Sequence, residues 1–132
     1  MSRMQHRRSG ERGAAAVELA LVLPILVMIF FGITEFGRGY AAKTAVTSAA
    51  REGARAMALN SDHVKAARDA TGWSDPTALA VTAVSSCPAQ PVASPTPPTA
   101  TVRTSYAFTY RIPFVKTATI TLTSQGSMRC GG

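Results

Sequence analysis

The sequence predicts an α+β protein, in which a long N-terminal transmembrane helix continues into a small domain with a short second helix and a three-stranded antiparallel sheet. Three observations predict this fold. Residues 14–33 form an apolar run, residues 40–59 carry a polar stripe at four-residue spacing, and three later stretches alternate apolar and polar residues. The first two patterns are helical, and the third is typical of half-buried strands.

Length and composition limit the alternatives before any motif is considered. The 132 residues allow one small domain plus an appendage. Two cysteines exclude a disulfide-dense scaffold and a zinc site made of cysteines alone. A net charge of +7 would ordinarily suggest nucleic acid or an anionic membrane as a partner. Residues 1–13, however, hold four arginines and one glutamate, so +3 of the excess lies in a basic leader.

The apolar run at residues 14–33 contains only one charge, Glu18. Its 20 residues match the roughly 20 that cross a bilayer as a helix and exceed the core of a typical signal peptide. The basic leader before it predicts a single-pass protein of the inner, cytoplasmic membrane with its N-terminus in the cytoplasm and its C-terminal domain outside.

Two residues within this run need a physical explanation. Glu18 could lie hydrated near the headgroups, or it could be kept to meet a positive partner inside an assembly; we favour the second, because ionisable groups within membranes are usually functional. Pro24 removes a backbone donor and predicts a kink in the helix.

We expect the helix to continue outside the membrane over residues 34–59. Its polar stripe is opposed by a ridge of small residues at four-residue spacing, Ala41, Ala45, Ala49 and Gly53. Such a ridge permits the close approach of another backbone. It could pack on the protein's own sheet, on a neighbouring subunit, or on each along different parts of its length.

Residues 60–132 form the predicted small domain. Asn60, Ser61 and Asp62 supply a helix N-cap, and a short helix follows that ends near Gly72. The three alternating stretches predict strands at 77–87, 102–112 and 117–128, whose order the sequence leaves open. On the last of these, Ala118, Ile120, Leu122 and Met128 form the apolar face that we expect the long helix to cover. Five prolines within residues 88–98 predict an extended, solvated loop between the first two strands.

Cys87 and Cys130 both fall on the apolar faces of their strands. In a meander the first and third strands run in the same direction, so both cysteines would lie at one end of the sheet. Outside the cytoplasm such a pair is best interpreted as a disulfide, and two free buried thiols are the alternative.

The sequence offers no recognisable catalytic, cofactor-binding or metal-binding set. It has no glycine-rich phosphate loop, no HExxH motif and no Ser/His/Asp arrangement, and neither His6 nor His63 has a ligand at metal spacing. We therefore predict a protein that is not an enzyme and needs no cofactor. We also predict no nucleic-acid partner, because the remaining basic residues are scattered.

Four short stretches resemble the TadE-like family, the minor pseudopilins of tight-adherence (Flp-type IVb) pilus systems. The stretches are Arg12-Gly13-Ala14-Ala15-Ala16-Val17-Glu18, Leu21-Val22-Leu23-Pro24, Glu35-Phe36-Gly37-Arg38 and Ala49-Ala50-Arg51-Glu52-Gly53-Ala54-Arg55. The resemblance covers about a third of the chain, and it is architectural over the sheet.

The resemblance implies a pilin-like domain and a processing step. A prepilin peptidase would cut between Gly13 and Ala14, which makes Glu18 the fifth residue of the mature chain. The new α-ammonium of Ala14 would then pair with the Glu18 carboxylate of a neighbouring subunit, because two charges that are each costly in the membrane are tolerated as a pair.

The implied function is a structural minor pseudopilin that helps to prime, cap or extend a tight-adherence pilus and so supports adhesion. Its partners would be the lipid bilayer, other pilins and pseudopilins, the prepilin peptidase and the pilus assembly platform. Two alternatives remain: an uncleaved single-pass protein of the assembly platform or the periplasm, and a protein secreted by a conventional signal peptidase. The second of these lacks a good cleavage site after the apolar run.

Overall fold

The computed structural model describes residues 7–89, 96–113 and 115–130, with side chains from Gly13 onward. The observed elements confirm the predicted α+β fold and follow in this order: helix α1 (Arg7–Ala58), helix α2 (His63–Asp69), a 3-10 turn (Pro76–Ala78), and strands β1 (Ala80–Ser85), β2 (Thr99–Tyr110) and β3 (Ala118–Arg129). Residues 90–95 of the predicted proline-rich loop and residues 1–6 of the leader lie outside this description.

Helix α1 is longer than the sequence pattern predicts. It begins at Arg7, seven residues before Ala14, and ends at Ala58. Once a helix has nucleated, each added residue gains one hydrogen bond, so helix extends from the apolar run back into the leader. Its 52 residues correspond to about 78 Å at 1.5 Å per residue. Pro24 lies inside this continuous helix.

Helix α2 begins where its capping residue predicts. The side chain of Asp62 accepts hydrogen bonds from the backbone N–H groups of Val64 and Lys65, both at 3.0 Å. Just beyond the end of α2, Gly72 has a φ of 65°, which a glycine adopts without strain. Ala67, the buried residue of α2, lies against α1, where a Cβ added at Gly53 would be 3.2 Å from the Cβ of Ala67.

The sheet is a meander in the order β1-β2-β3 with both pairs antiparallel, which settles the strand order that the sequence left open. β2 lies in the centre and pairs with β3 over its whole length, with Val102 opposite Gly126. β1 is shorter than predicted, because Pro76–Ala78 forms a 3-10 turn at the position where the alternating pattern begins.

The core lies between α1 and one face of the sheet, in two clusters. The cluster at the end far from the apolar run contains Ala54, Met57, Ala58, Ala100 and Val102. The other cluster contains Val46, Ala49, Ala67 and Leu79, with Trp73, Tyr106 and Leu122 packed against it. Most of the helix residues in this core are alanines, so the α1 backbone comes close to the strands.

The closest approach of α1 to the sheet is at Gly126 on β3. A Cβ added at this glycine would overlap the carbonyl group of Ala50 and would lie 2.8 Å from the backbone nitrogen of Arg51. One strand away, the hydroxyl of Thr104 donates a buried hydrogen bond of 2.8 Å to the carbonyl oxygen of Val46. Both contacts need the helix backbone itself to be in reach of the sheet.

The predicted burial of the apolar face of β3 is wrong at both ends of the strand. Ile120 is 41% exposed and Met128 is 42% exposed. α1 lies closest to this strand at Gly126, and Leu122 packs against the core, whereas Ile120 and Met128 extend beyond the covered part of the face.

The disulfide between Cys87 and Cys130 is present, as predicted. It joins the segments that follow β1 and β3, and both cysteines pack against the cluster that contains Val102. The backbone N–H of Cys130 also donates to the carbonyl oxygen of Pro98 at 2.9 Å, so the last residues before β2 are tied to the same place.

We predict that Gly126→Ala lowers the stability of the domain by about 1–3 kcal/mol, the usual cost of overpacking, because the new methyl group would meet backbone rather than a movable side chain. Thermal unfolding of the full chain in detergent, followed by the near-ultraviolet signal of Trp73, measures the effect.

Gly37→Ala is the matched control, because a Cβ at Gly37 meets nothing within 4 Å. There the substitution should be neutral or stabilising by up to about 1 kcal/mol, since alanine favours helix. Equal melting temperatures for the two variants would contradict the close approach.

Candidate functional site

The first half of α1 is a bare apolar surface. None of residues 13–33 is buried, and the helix from Gly13 onward is long and apolar enough to cross a membrane. The large side chains exposed along it include Val17, Leu21, Leu23, Ile25, Leu26, Ile29, Phe30 and Ile33. Water would strongly disfavour such a surface, so one N-terminal helix anchors the chain in a membrane.

The predicted processing and pairing residues all lie on this bare surface. Gly13, Ala14 and Glu18 are exposed, and a Cβ at Gly13 would meet nothing within 4 Å. Among the described side chains, the ion pairs are Glu35–Arg38, Glu52–Arg55 and Asp69–Lys65, so Glu18 belongs to none of them.

Glu35 lies where the exposed apolar part of α1 ends and the part that packs against the sheet begins. It is only 6% exposed. One carboxylate oxygen accepts from the guanidinium of Arg38, and the other accepts from the backbone N–H of Arg111 at 3.2 Å. The hydrogen bond from the Arg111 backbone, followed by the contact with Arg38, holds the pKa of Glu35 below its ordinary value.

The sequence shows Glu35 as a charge just after the apolar run, but it does not reveal the role of this residue in the domain. A glutamate two residues after a membrane run suggests a charge at the membrane surface. The hydrogen bond that Glu35 accepts comes from the backbone N–H of Arg111, 76 residues further along the chain. It can be recognised only once the fold places the end of β2 beside α1.

The ridge of small residues is divided into two parts. Ala49 and Gly53 are buried by the protein's own domain, Ala49 in the cluster with Leu79, and Gly53 against Ala67 and Val102. Ala41 is exposed and Ala45 is half-buried. The half of the ridge nearer the membrane segment is therefore open to a partner.

A groove of about 620 Å³ lies beside this open half of the ridge. Ala41 and Ala45 form part of its floor. It is also lined by Trp73 and Tyr106, whose rings lie at 49° to each other with centroids 4.4 Å apart, and by Phe108, whose ring centroid lies 5.7 Å from the guanidinium carbon of Arg38. Polar residues, among them Arg38, Ser74 and Asp75, complete the lining, so the groove presents aromatic rings and methyl groups beside charged side chains.

A metal centre finds no support in the part of the chain that the structure describes. No group of three or more His, Cys, Asp or Glu side chains among these residues could hold a metal ion. Asp62 and Asp75 instead cap α2 and the 3-10 turn. The backbone N–H groups of Lys65 and Val64 lower the pKa of Asp62 below its usual value. The hydroxyl and the backbone N–H of Thr77 lower the pKa of Asp75 in the same way.

Comparison with known proteins supports one family. Residues 13–55 match the family model described as TadE-like protein. No curated protein and no solved structure matches the chain. The resemblance noted in the sequence is thereby confirmed, and this TadE-like region is consistent with a protein of the Tad pilus systems.

The matched segment contains most of the candidate site. It includes Gly13, Glu18 and Pro24, the whole ridge from Ala41 to Gly53, and Glu35. It ends before α2 and the sheet, so the family match covers the bare helix and the helical spine but not the domain built on that spine.

We predict that Glu35 makes the domain acid-sensitive. A carboxylate whose pKa is lower in the folded state stabilises the fold above its unfolded pKa, near 4.5, and loses that stabilisation as the pH falls through the folded value. Glu35→Gln should therefore unfold more easily than the wild type at pH 7 and show a smaller difference in melting temperature between pH 7 and pH 3.

Glu52→Gln removes the same charge from the exposed surface of α1 and serves as the control. It should keep the pH dependence of the wild type. If Glu35→Gln and Glu52→Gln have the same pH profile, Glu35 does not tie the helix to the sheet.

Proposed function

We propose that this chain is a structural minor pseudopilin, which is held in the inner membrane by α1 and takes part in the assembly of a tight-adherence pilus that supports adhesion. The observation that carries the proposal is one continuous TadE-like helix, whose first half is bare and apolar and whose second half is the spine of a small domain. The bare half suits both a bilayer and a bundle of similar helices.

The proposed topology follows from charge. The four arginines of the leader keep the N-terminus in the cytoplasm, and the domain with its disulfide lies outside. A prepilin peptidase acts at the cytoplasmic face and cuts between Gly13 and Ala14. Gly13 and Ala14 are both exposed on the surface of α1.

The cut prepares a charge pair between subunits. The Ala14 α-ammonium has an ordinary pKa near 7.7–8.0 and is therefore largely charged at neutral pH. Glu18 is the acidic residue within the apolar run, and it has no ion-pair partner among the described side chains. A bond from the ammonium of one subunit to Glu18 of the next would fix the axial register of neighbouring helices.

Helix packing supplies the rest of the proposed assembly contact. The open half of the ridge, Ala41 and Ala45, would receive a helix of another pilin or pseudopilin, while Ala49 and Gly53 hold the subunit's own domain. The remaining proposed partners are the bilayer and the assembly platform. The TadE-like family is structural, so we propose no catalytic activity, no cofactor and no nucleic-acid partner.

We predict that protein purified from membranes begins at Ala14 when the cognate peptidase is present and at Met1 when it is absent. Intact mass and N-terminal sequencing measure this directly. Persistence of the Met1 end in cells with the peptidase would support an uncleaved membrane-anchored platform or periplasmic protein instead. A start beyond about Tyr40 would support secretion by signal peptidase.

We also predict that Glu18→Gln inserts normally and fails in assembly. Removing a charge from the apolar run lowers the cost of insertion, but the Ala14 ammonium then lacks its partner, and breaking a buried pair costs about 3–5 kcal/mol. Pilus yield, measured by shearing and quantification, should fall sharply, whereas the membrane content of the subunit stays constant.

Glu52→Gln is again the matched control, because it is the same change on an exposed part of α1 outside the apolar run. It should leave the pilus yield unchanged. Normal pilus formation by the Glu18 variant would exclude the pairing role, although the N-terminal cut could still occur.

A further inference from the structure

The turn between β2 and β3 lies beside the exit of α1 from its apolar run. Arg111, the first residue after β2, donates its backbone N–H to Glu35, which comes two residues after Ile33. Tyr110, the last residue of β2, packs on Gly39, where an added Cβ would be 2.8 Å from the tyrosine hydroxyl. Two independent contacts thus place the end of β2 at residues 35–39 of α1.

With residues 14–33 as the membrane-spanning segment of the proposed function, this position is at the level of the lipid headgroups. Two residues of helix correspond to about 3 Å, and the interfacial layer on each side of a bilayer is about 5–7 Å thick. β2 runs towards the membrane, since Val102 packs near Ala54 and Arg111 reaches Glu35. The turn that follows therefore meets the bilayer surface.

The exposed side chains at this level have the composition of a lipid-binding surface. We call Arg38, Arg111, Val115 and Lys116 the juxtamembrane patch. Arg111 and Lys116 are exposed, the Arg38 side chain is 61% exposed, and Val115 is 50% exposed. The patch combines three cations with one aliphatic side chain.

Two of these three positive charges, Arg111 and Lys116, have no ion-pair partner among the described residues. Glu35, the carboxylate beside the patch, is buried and already holds Arg38 and the Arg111 backbone. The Glu52 pair lies 19 residues beyond Ile33 on α1, or about 28 Å further from the membrane.

We propose that the juxtamembrane patch binds anionic phospholipid headgroups of the bilayer that α1 crosses, and that Val115 enters the interface. Guanidinium groups bind phosphate through paired hydrogen bonds, and an ammonium binds it as a point charge. The turn is then a second membrane contact besides α1, and it fixes the tilt of the domain. The proposal rests on the membrane-spanning part of the proposed function and is independent of cleavage and pilus assembly.

The test places a spin label on the full chain in vesicles of phosphatidylcholine, with or without phosphatidylglycerol. Single cysteines replace Val115 in the patch, Leu23 in the apolar run and Ser127 at the far end of β3, while Cys87 and Cys130 remain joined. Two collision rates are measured for each label: the rate with oxygen, which concentrates in lipid, and the rate with a water-soluble nickel complex. Their ratio reports the depth of the label.

We expect the label at 115 to lie at interfacial depth and to move deeper when phosphatidylglycerol is added, whereas the label at 127 stays in water. Each basic side chain near an anionic surface should favour the bound position about fivefold. The pair Arg111→Gln with Lys116→Gln should therefore remove most of the lipid-dependent change, and high salt should do the same. The control variant with Arg51→Gln and Arg129→Gln loses the same amount of charge outside the juxtamembrane patch. It should keep the change in depth that phosphatidylglycerol causes.

Three results would overturn the proposal. A label at 115 that stays in water in both lipids, while the label at 23 is in hydrocarbon, refutes the patch and leaves the membrane helix intact. A label at 115 shielded from both collision partners means that protein covers the patch. A label at 23 that stays in water refutes the patch together with the membrane-spanning part of the proposed function.

Discussion

The backbone of α1 lies directly against the sheet, and the remaining contacts of the domain depend on this close approach. Alanine and glycine on the inner face of the helix leave no side chain long enough to hold the strands away. The hydroxyl of Thr104 can therefore reach the carbonyl oxygen of Val46, and Gly126 can lie on the backbone of Ala50. A leucine in place of Gly126 would separate the layers and break the Thr104 bond as well. Small residues on the helix thus hold this core together by close backbone contact, where most cores rely on large apolar side chains.

A consequence of this packing is that the domain is held to α1 along most of the helix outside the apolar run. Glu35 binds the end of β2, Val46 binds its middle, and Ala54 packs with Val102 near its beginning. These contacts span about 19 residues of helix, or roughly 28 Å. Because β2 runs antiparallel to α1 over this distance, the sheet cannot rotate about the helix without losing several contacts together. The direction of the membrane helix therefore also sets the direction of the domain.

The sequence predicts the elements of this fold well, because each has a local signal. The apolar run and the polar stripe identify α1, the capping residues Asn60, Ser61 and Asp62 identify the start of α2, and alternation identifies β2 and β3. The disulfide follows from strand parity. The contacts between elements have no local signal. Gly126 in a strand could equally indicate a bulge, and nothing near Glu35 in the sequence indicates that a backbone N–H beyond β2 will bind it. The exposure of Ile120 is unpredictable for the same reason, since alternation reports which face a residue is on but not how far a helix covers that face.

The two glutamates at the ends of the proposed membrane segment show how position decides the role of one residue type. Glu35 is buried, and its two oxygens are occupied by Arg38 and by the Arg111 backbone, so it has little capacity left for another subunit. Glu18 lies on the same helix, exposed among apolar side chains, and none of the ion pairs of the described side chains includes it. A carboxylate without a partner is costly in lipid, whereas one whose oxygens are bound stabilises its own fold. Of these two acids, Glu18 is therefore the one that the proposed pairing between subunits would use, whereas Glu35 holds the end of β2 to its own helix.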